Sequence, residues 1–268
     1  MSSLFQRLCC FTFVLACILA PQVAHAQDRT LRMAYEEFDP YSFTDENGQA
    51  RGLSVDLFRH IAEAAGYSAD FVKAENPGDA LDMLNAGAAE LTSLLALTPA
   101  RLDRGLATDP LGAFESRAFA LRRSGRRTVE DLAGARVGVV RGSYALATAG
   151  AIPFVQLVEF AQTDDMVVPL LSGEIDAVVS AGDSFRARLR AMEVSDAVHS
   201  VTPALAVSPY GFVIAPERAD VQAAFNAAIA ADLSQAQLAT LRRLWFGSDR
   251  RLTETPLFWA ILGGRSAS

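Results

Sequence analysis

Sulfur chemistry is almost missing from this chain. Its 268 residues hold 3 cysteines, Cys9, Cys10 and Cys17, all inside the first apolar stretch. Beyond that stretch there is no material for a disulfide framework, a thiolate metal site or a cysteine nucleophile. Histidine is scarce too. Past residue 26 only His60 and His199 remain, and their separation matches no metal-ligand spacing. Lysine occurs once, as Lys73, against many arginines, which reads as genomic composition. The chain has no Gly-x-Ser-x-Gly elbow, no phosphate-cradling glycine loop and no His/Glu metal helix. It shows no short-period repeat and no low-complexity segment. The net charge of −7 is mild and spread out. That balance argues against nucleic acid and against anionic membranes as partners. The Arg122-Arg123 and Arg126-Arg127 pairs fit a solvated loop.

What is present starts with an address. Residues 1–7 carry one cation, Arg7, and residues 8–20 are apolar apart from Thr12 and the cysteines. Ala24-His25-Ala26 is a small-x-small cleavage pattern. Together they predict a secretory signal peptide over 1–26, with an apolar core too short to span a bilayer comfortably. The expected location is the periplasm. An exported chain without disulfides relies on its core, and a hydrophobic fraction of 51 % supplies one.

From residue 28 short apolar runs alternate with helical patterns. Strands are expected at 31–35, 69–73 and 90–95, with helices at 53–65 and 79–86 between them. The helix at 53–65 places Leu53, Leu57, Ile61 and Ala65 on one face and stops at Gly66. The rhythm restarts with strands at 136–140, 154–159 and 175–180. A helix opens at Gly142-Ser143, and another covers 163–172, where Pro169 should kink or shorten it. The end of the chain reads as helices over 219–233 and 235–245. Strand-helix alternation implies an α/β fold with mostly parallel sheets flanked by helices. Two such units in series imply two lobes, joined by extended segments at 117–122 and 210–215. The expected division is 28–117 plus 214–250 for lobe 1 and 118–213 for lobe 2. The apolar tail at 256–262 is too short to span a bilayer.

Thr98-Pro99-Ala100-Arg101 stands out. It follows a buried apolar run, and its threonine and proline form a helix-start signal. The arginine then lies at the positive end of a helix dipole, where a cation is disfavoured. A guanidinium grips carboxylates through a planar fork, so the spot suits an anion clamp. The same four residues also fit an exposed arginine on a surface helix. Its position beyond a strand's carboxyl end, matched by Ser143 in the second lobe, favours the clamp.

Several motifs in a fixed order resemble the family 3 extracellular solute-binding proteins, the periplasmic components of polar amino-acid ABC transporters. They are Leu31-Arg32-Met33-Ala34, Phe38-Asp39-Pro40-Tyr41-Ser42-Phe43, Asp45-Glu46-Asn47-Gly48 and Gly52-Leu53-Ser54-Val55-Asp56-Leu57. Thr98-Pro99-Ala100-Arg101, Asp131-Leu132-Ala133-Gly134, Gly173-Glu174-Ile175-Asp176-Ala177 and Leu244-Trp245-Phe246-Gly247 complete the set. The resemblance implies a two-lobed venus-flytrap fold that closes on a small solute. It implies that Arg101 binds a ligand carboxylate. It places Phe38 as an aromatic wall, Ser93 as a hydroxyl contact, and Gly142 and Ser143 as contacts from the second lobe. Phe38 also fits ordinary core packing, and Ser93 fits a strand serine bonded to backbone.

Departures from the family pattern bear on the ligand. Leu94 and Ala96 stand where hydroxyl residues are common, and Tyr144 where a small hydroxyl residue is common. Ala181 occupies the position of an aspartate that usually holds the ligand's ammonium. Glu36, Glu37 or Asp183 takes over that role, or the ligand has no α-ammonium. The candidate site is therefore Arg101, Ser93, Phe38, Glu36, Ala96, Gly142, Ser143 and Asp183. No metal and no cofactor are called for. The expected partners are a small carboxylate and an inner-membrane ABC permease, and the protein is expected to be a monomer. A periplasmic sensing or accessory role, or a cyclohexadienyl dehydratase-like enzyme on the same scaffold, are the competing readings.

Overall fold

The structure is a computed structural model that describes residues 29–233 and 235–246. The expected signal peptide, the cysteines, Gly247 and the apolar tail lie outside the described residues. In chain order the first half holds β1 (Thr30–Tyr35), β2 (Phe43–Thr44), β3 (Ala50–Arg51), α1 (Leu53–Ala64), β4 (Ser68–Lys73), α2 (Pro77–Asn85), β5 (Leu91–Ala96), α3 (Pro99–Leu102), β6 (Leu106–Ala107) and β7 (Gly112–Leu121). The second half holds β8 (Arg136–Val140), α4 (Tyr144–Ala149), β9 (Gln156–Phe160), α5 (Val167–Ser172), β10 (Ala177–Ala181), α6 (Gly182–Ala191), β11 (Val198–Ser200), β12 (Ala206–Ile214), α7 (Ala219–Asp232) and α8 (Gln235–Phe246).

The local chemistry explains these elements. In α1, Leu53, Leu57, Phe58 and Ile61 fall on one buried face. Burying a side chain of this size contributes about 2 kcal/mol. In α2 the Asn76 side chain accepts from the Gly78 and Asp79 amides, and Pro77 fills the first turn, where a missing N–H costs nothing. The expected helix at 163–172 is a short 3-10 turn, Asp164–Met166, followed by α5. Pro169 sits in the first turn of α5, so it shortens the α-helix without kinking it.

Ten strands form one continuous sheet with the order β4-β1-β5-β12-β7-β10-β8-β9, and β6 and β11 pair at its side. The outer triplets are parallel: β4-β1-β5 at one end, β10-β8-β9 at the other. Between them β12 and β7 run antiparallel to each other and to their outer neighbours. These two long strands are the crossings between the lobes. They cover all but the last residue of the extended segments expected at 117–122 and 210–215, since β7 ends at Leu121 and β12 at Ile214. Each half buries apolar side chains on both sheet faces. In the second half Val137, Val139, Ala177 and Val179 pack into one cluster, while Val178, Phe119 and Phe185 pack into another. The alternation of neighbours Ala177, Val178 and Val179 between clusters is the signature of a strand covered on both sides.

α6 has no counterpart in the sequence reading. Its residues are largely polar, and only Gly182, Ser184, Phe185 and Leu189 are buried. The strand expected at 154–159 begins later, because Phe154 adopts φ 57° and is 89 % exposed.

Candidate functional site

A crevice lies between the two halves of the sheet, with about 620 Å³ of empty space including its open mouth. One wall comes from the segment after β1, the end of β5 and α3. The other comes from the ends of β8 and β10 and the start of α4. Both walls therefore lie at the carboxyl ends of parallel strands, where open α/β sheets bind ligands.

Arg101 is buried, at 7 % exposure, and lines this crevice. Its Nη1 donates to the Ala96 carbonyl at 3.0 Å, and its Nη2 reaches across the crevice to the Gly142 carbonyl at 3.2 Å. Among the described residues no carboxylate forms an ion pair with it. Burial pulls its pKa below the ordinary value, and the charge of Glu36 opposes that pull. The dipole conflict read from the sequence is slight. α3 is a single turn, so Arg101 stands in its last turn as well as its first. What orients the side chain is the pair of carbonyls.

Glu36 is buried at 4 % exposure on the same wall. The Ser93 hydroxyl donates to its Oε2 at 2.8 Å. Burial holds the Glu36 carboxyl above its ordinary range, partly offset by Ser93 and by Arg101. Ser93 is thus set behind Glu36 and is not part of the lining itself. Glu37 also lines the crevice but is occupied. Lys73, the one lysine of the chain, pairs with its Oε1 at 2.7 Å, and Thr44 Oγ1 donates to the same oxygen at 2.6 Å. Burial raises its pKa, and these partners outweigh burial and hold it low. Lys73 is therefore more than a compositional residue.

Phe38 lines the crevice and stacks on Tyr41 with ring centroids 5.0 Å apart. Phe114, which the sequence reading missed, meets it edge-on at 5.8 Å and lines the crevice too. Ala96 is part of the lining. On the opposite wall the Ser143 hydroxyl is buried and has no hydrogen-bond partner among the described residues. Gly142 has φ +66°, and a Cβ there would meet the Gly78 nitrogen of the other wall at 2.8 Å. Only glycine permits that approach. The rest of the second wall mixes the apolar Val140, Ala145, Ala161, Val179 and Ala181 with Tyr144, Thr163 and Ser180.

Asp183 does not join this group. It sits at the start of α6, outside the lining, with Oδ1 on Arg186 at 3.1 Å and Oδ2 on Arg242 at 3.6 Å. The expectation that it reaches the ligand's place gives way to a tie between α6 and α8. Arg242 is drawn there by Tyr210, whose hydroxyl it contacts, and by the rings of Tyr210 and Phe246. His60 and His199 stay apart from the crevice, and the His199 Nε2 meets the Arg126 carbonyl at 2.7 Å.

A ligand crevice between two α/β lobes, spanned by a pair of crossing strands, defines a binding protein of the periplasmic two-lobed type. The chain belongs to the bacterial extracellular solute-binding proteins, family 3, whose profile matches residues 31–248. It is 34 % identical over 110 residues to the amino-acid-binding protein AabA of Dichelobacter nodosus, covering 41 % of this chain and 44 % of that one. It is 31 % identical over 159 residues to the histidine-binding periplasmic protein of Escherichia coli K12, covering 55 % of this chain and 60 % of that one. The matched part thus spans about half the length of these relatives. Among solved structures, an ancestral arginine-binding protein bound to arginine superposes with a TM-score of 0.75 at 24 % identity, over 82 % of this chain and 99 % of that one. That likeness supports the fold. No helix among the described residues is long and apolar enough to cross a membrane.

Proposed function

We propose that this protein binds a small carboxylate-bearing solute, an amino acid or related organic acid, between its lobes and delivers it to an ABC permease. The observation that carries the reading is Arg101. A guanidinium buried to 7 % exposure and held, among the described residues, by carbonyl oxygens alone carries a desolvation cost that a carboxylate would offset. Because it touches both walls, a ligand placed on it favours the closed arrangement, which is how differential affinity shifts a two-state equilibrium. Family membership and the names of the relatives support binding over catalysis. The sequence pattern at 1–26 supports export to the periplasm, and a monomer suits a protein that opens and closes around one solute.

The test is a thermal-shift screen of amino acids, keto acids and dicarboxylates on wild-type protein and Arg101→Ala. A ligand present at about 100 times its Kd adds about 2.7 kcal/mol of stability. At least one acid should raise the wild-type Tm and leave Arg101→Ala unmoved. The buried Glu36 carboxyl favours a second reading, an acid-base group in a dehydratase-like enzyme on this fold. Turnover of prephenate or arogenate, lost in Glu36→Gln, would establish that reading instead.

A further inference from the structure

Resting on the reading just given, we infer that α6 is a strap between the lobes: its polar side chains hold the first lobe and set how readily the crevice closes, without touching the solute. The helix is largely polar because its faces do different work. On one face Phe185 and Leu189 pack into the second lobe's core with Phe119 and Val178. From the rest of the helix, three side chains cross to the first lobe. The Ser184 hydroxyl donates to the Asp39 carbonyl, in the segment that carries Glu36 and Phe38. Asp183 pairs with Arg242 Nη2 at 3.6 Å, and both side chains are largely buried, so water screens the pair little. Arg190 donates to the Phe246 carbonyl at 3.5 Å. Arg242 and Phe246 belong to α8, which seats Leu238 and Phe246 in the first lobe's core.

These contacts depend on where the lobes stand. Asp39 follows Phe38 of the first wall, and Ser184 lies shortly after Ala181 of the second, so a motion that parts the walls also parts their bond. Asp39, Asp183, Ser184, Arg190 and Arg242 all lie outside the crevice lining. Arg188 continues the seam. It lines a smaller gap with Asp39, its Nη2 is on Asp164 at 2.7 Å, and its buried Nε has no hydrogen-bond partner among the described residues. A strap of this kind stabilises the closed arrangement before any solute arrives. The apparent affinity is the intrinsic affinity of the binding-competent form scaled by its population, so weakening the strap lowers affinity for every solute by the same factor. A side chain that touches the solute would instead change the ranking of solutes.

Small-angle X-ray scattering of the ligand-free full chain tests the strap, together with calorimetric titration of each amino acid, keto acid or dicarboxylate that raises the wild-type Tm. Asp183→Asn, Ser184→Ala and Arg190→Gln should each enlarge the ligand-free radius of gyration. Saturation with a binding acid should return the radius to the wild-type value, which also shows that the variant is folded. Arg190 is exposed, so its variant keeps the fold even if a buried one does not. Affinities for all the acids should fall together, by about fivefold in Asp183→Asn. An unchanged radius and unchanged affinities in all three variants overturn the strap and leave the parent reading standing. A loss confined to one acid also overturns it, because it places the altered side chain at the solute. Failure of every acid to bind the wild type defeats the parent reading, whereas an enlarged ligand-free radius in the variants would still support the strap.

Discussion

The two walls of the crevice are built from different chemistry. The first wall is ionic and hydrogen-bonded: Arg101 on two carbonyls, Glu36 on Ser93, Glu37 on Lys73 and Thr44. The second wall is mostly small and apolar, broken by Ser143, Tyr144, Thr163 and Ser180. Asp183, outside that wall, pairs with Arg186 and with Arg242 of α8. The difference separates two jobs. On the proposed reading, the Ala96 carbonyl of its own wall holds the Arg101 guanidinium in place for a carboxylate before the walls meet. A wall of small apolar side chains adds little orientation and rewards closure by burying surface, roughly 25 cal/mol per Å². Arg101 Nη2 on the Gly142 carbonyl is where the two meet.

The largest expected effect comes from removing the ionic anchor. Arg101→Ala should lower affinity for any carboxylate hit by at least about a hundredfold, equivalent to about 2.7 kcal/mol, with the protein still folded by circular dichroism. Next is the tie behind the crevice. Arg242→Met leaves Asp183 with Arg186 alone and removes the contact with the Tyr210 hydroxyl, and should cost about 2 kcal/mol of stability in urea titration. Unchanged stability would show that α6 and α8 are not held by that pair.

Closure itself is tested by Gly142→Ala. The left-handed backbone and the 2.8 Å approach to Gly78 both resist a Cβ. Affinity should fall by about tenfold, equivalent to about 1.4 kcal/mol, with a smaller change in the stability of the unliganded protein. Equal affinity would mean that the walls need not approach this closely. The smallest effect concerns Glu36. Its folded pKa is raised above the ordinary 4.5 by burial. A carboxyl raised in this way contributes stability that is fully present below 4.5 and is lost as pH rises through the raised value. Glu36→Gln should therefore flatten the stability curve on the alkaline side of 4.5, read as Tm against pH. An unaltered slope would show that folding leaves the Glu36 pKa unshifted.

Much of this contrast was legible in the sequence. Apolar runs between turn residues marked β1, β4, β5 and β8 to within a residue or two, β5 and β8 as the continuous hydrophobic runs of buried parallel strands. Arg101 was legible because a cation beside a helix start needed a reason. The Glu36 bond to Ser93 was not, since the two stand 57 residues apart and meet only when β1 pairs with β5. The loss of Asp183 from the crevice depended on α6, a polar segment with little apolar periodicity, and on Arg242 from the far end of the chain. Phe114 escaped notice because its strand is buried almost throughout, so pattern alone does not say which of its side chains faces a cavity.

Calorimetric titration of the tightest-binding acid and of its uncharged amide against the wild-type protein bears most directly on the ionic wall. The acid should bind at least about a hundredfold more tightly than the amide in the wild type, and that difference should vanish in Arg101→Ala. Equal binding of acid and amide, or an acid preference that survives in Arg101→Ala, would contradict it.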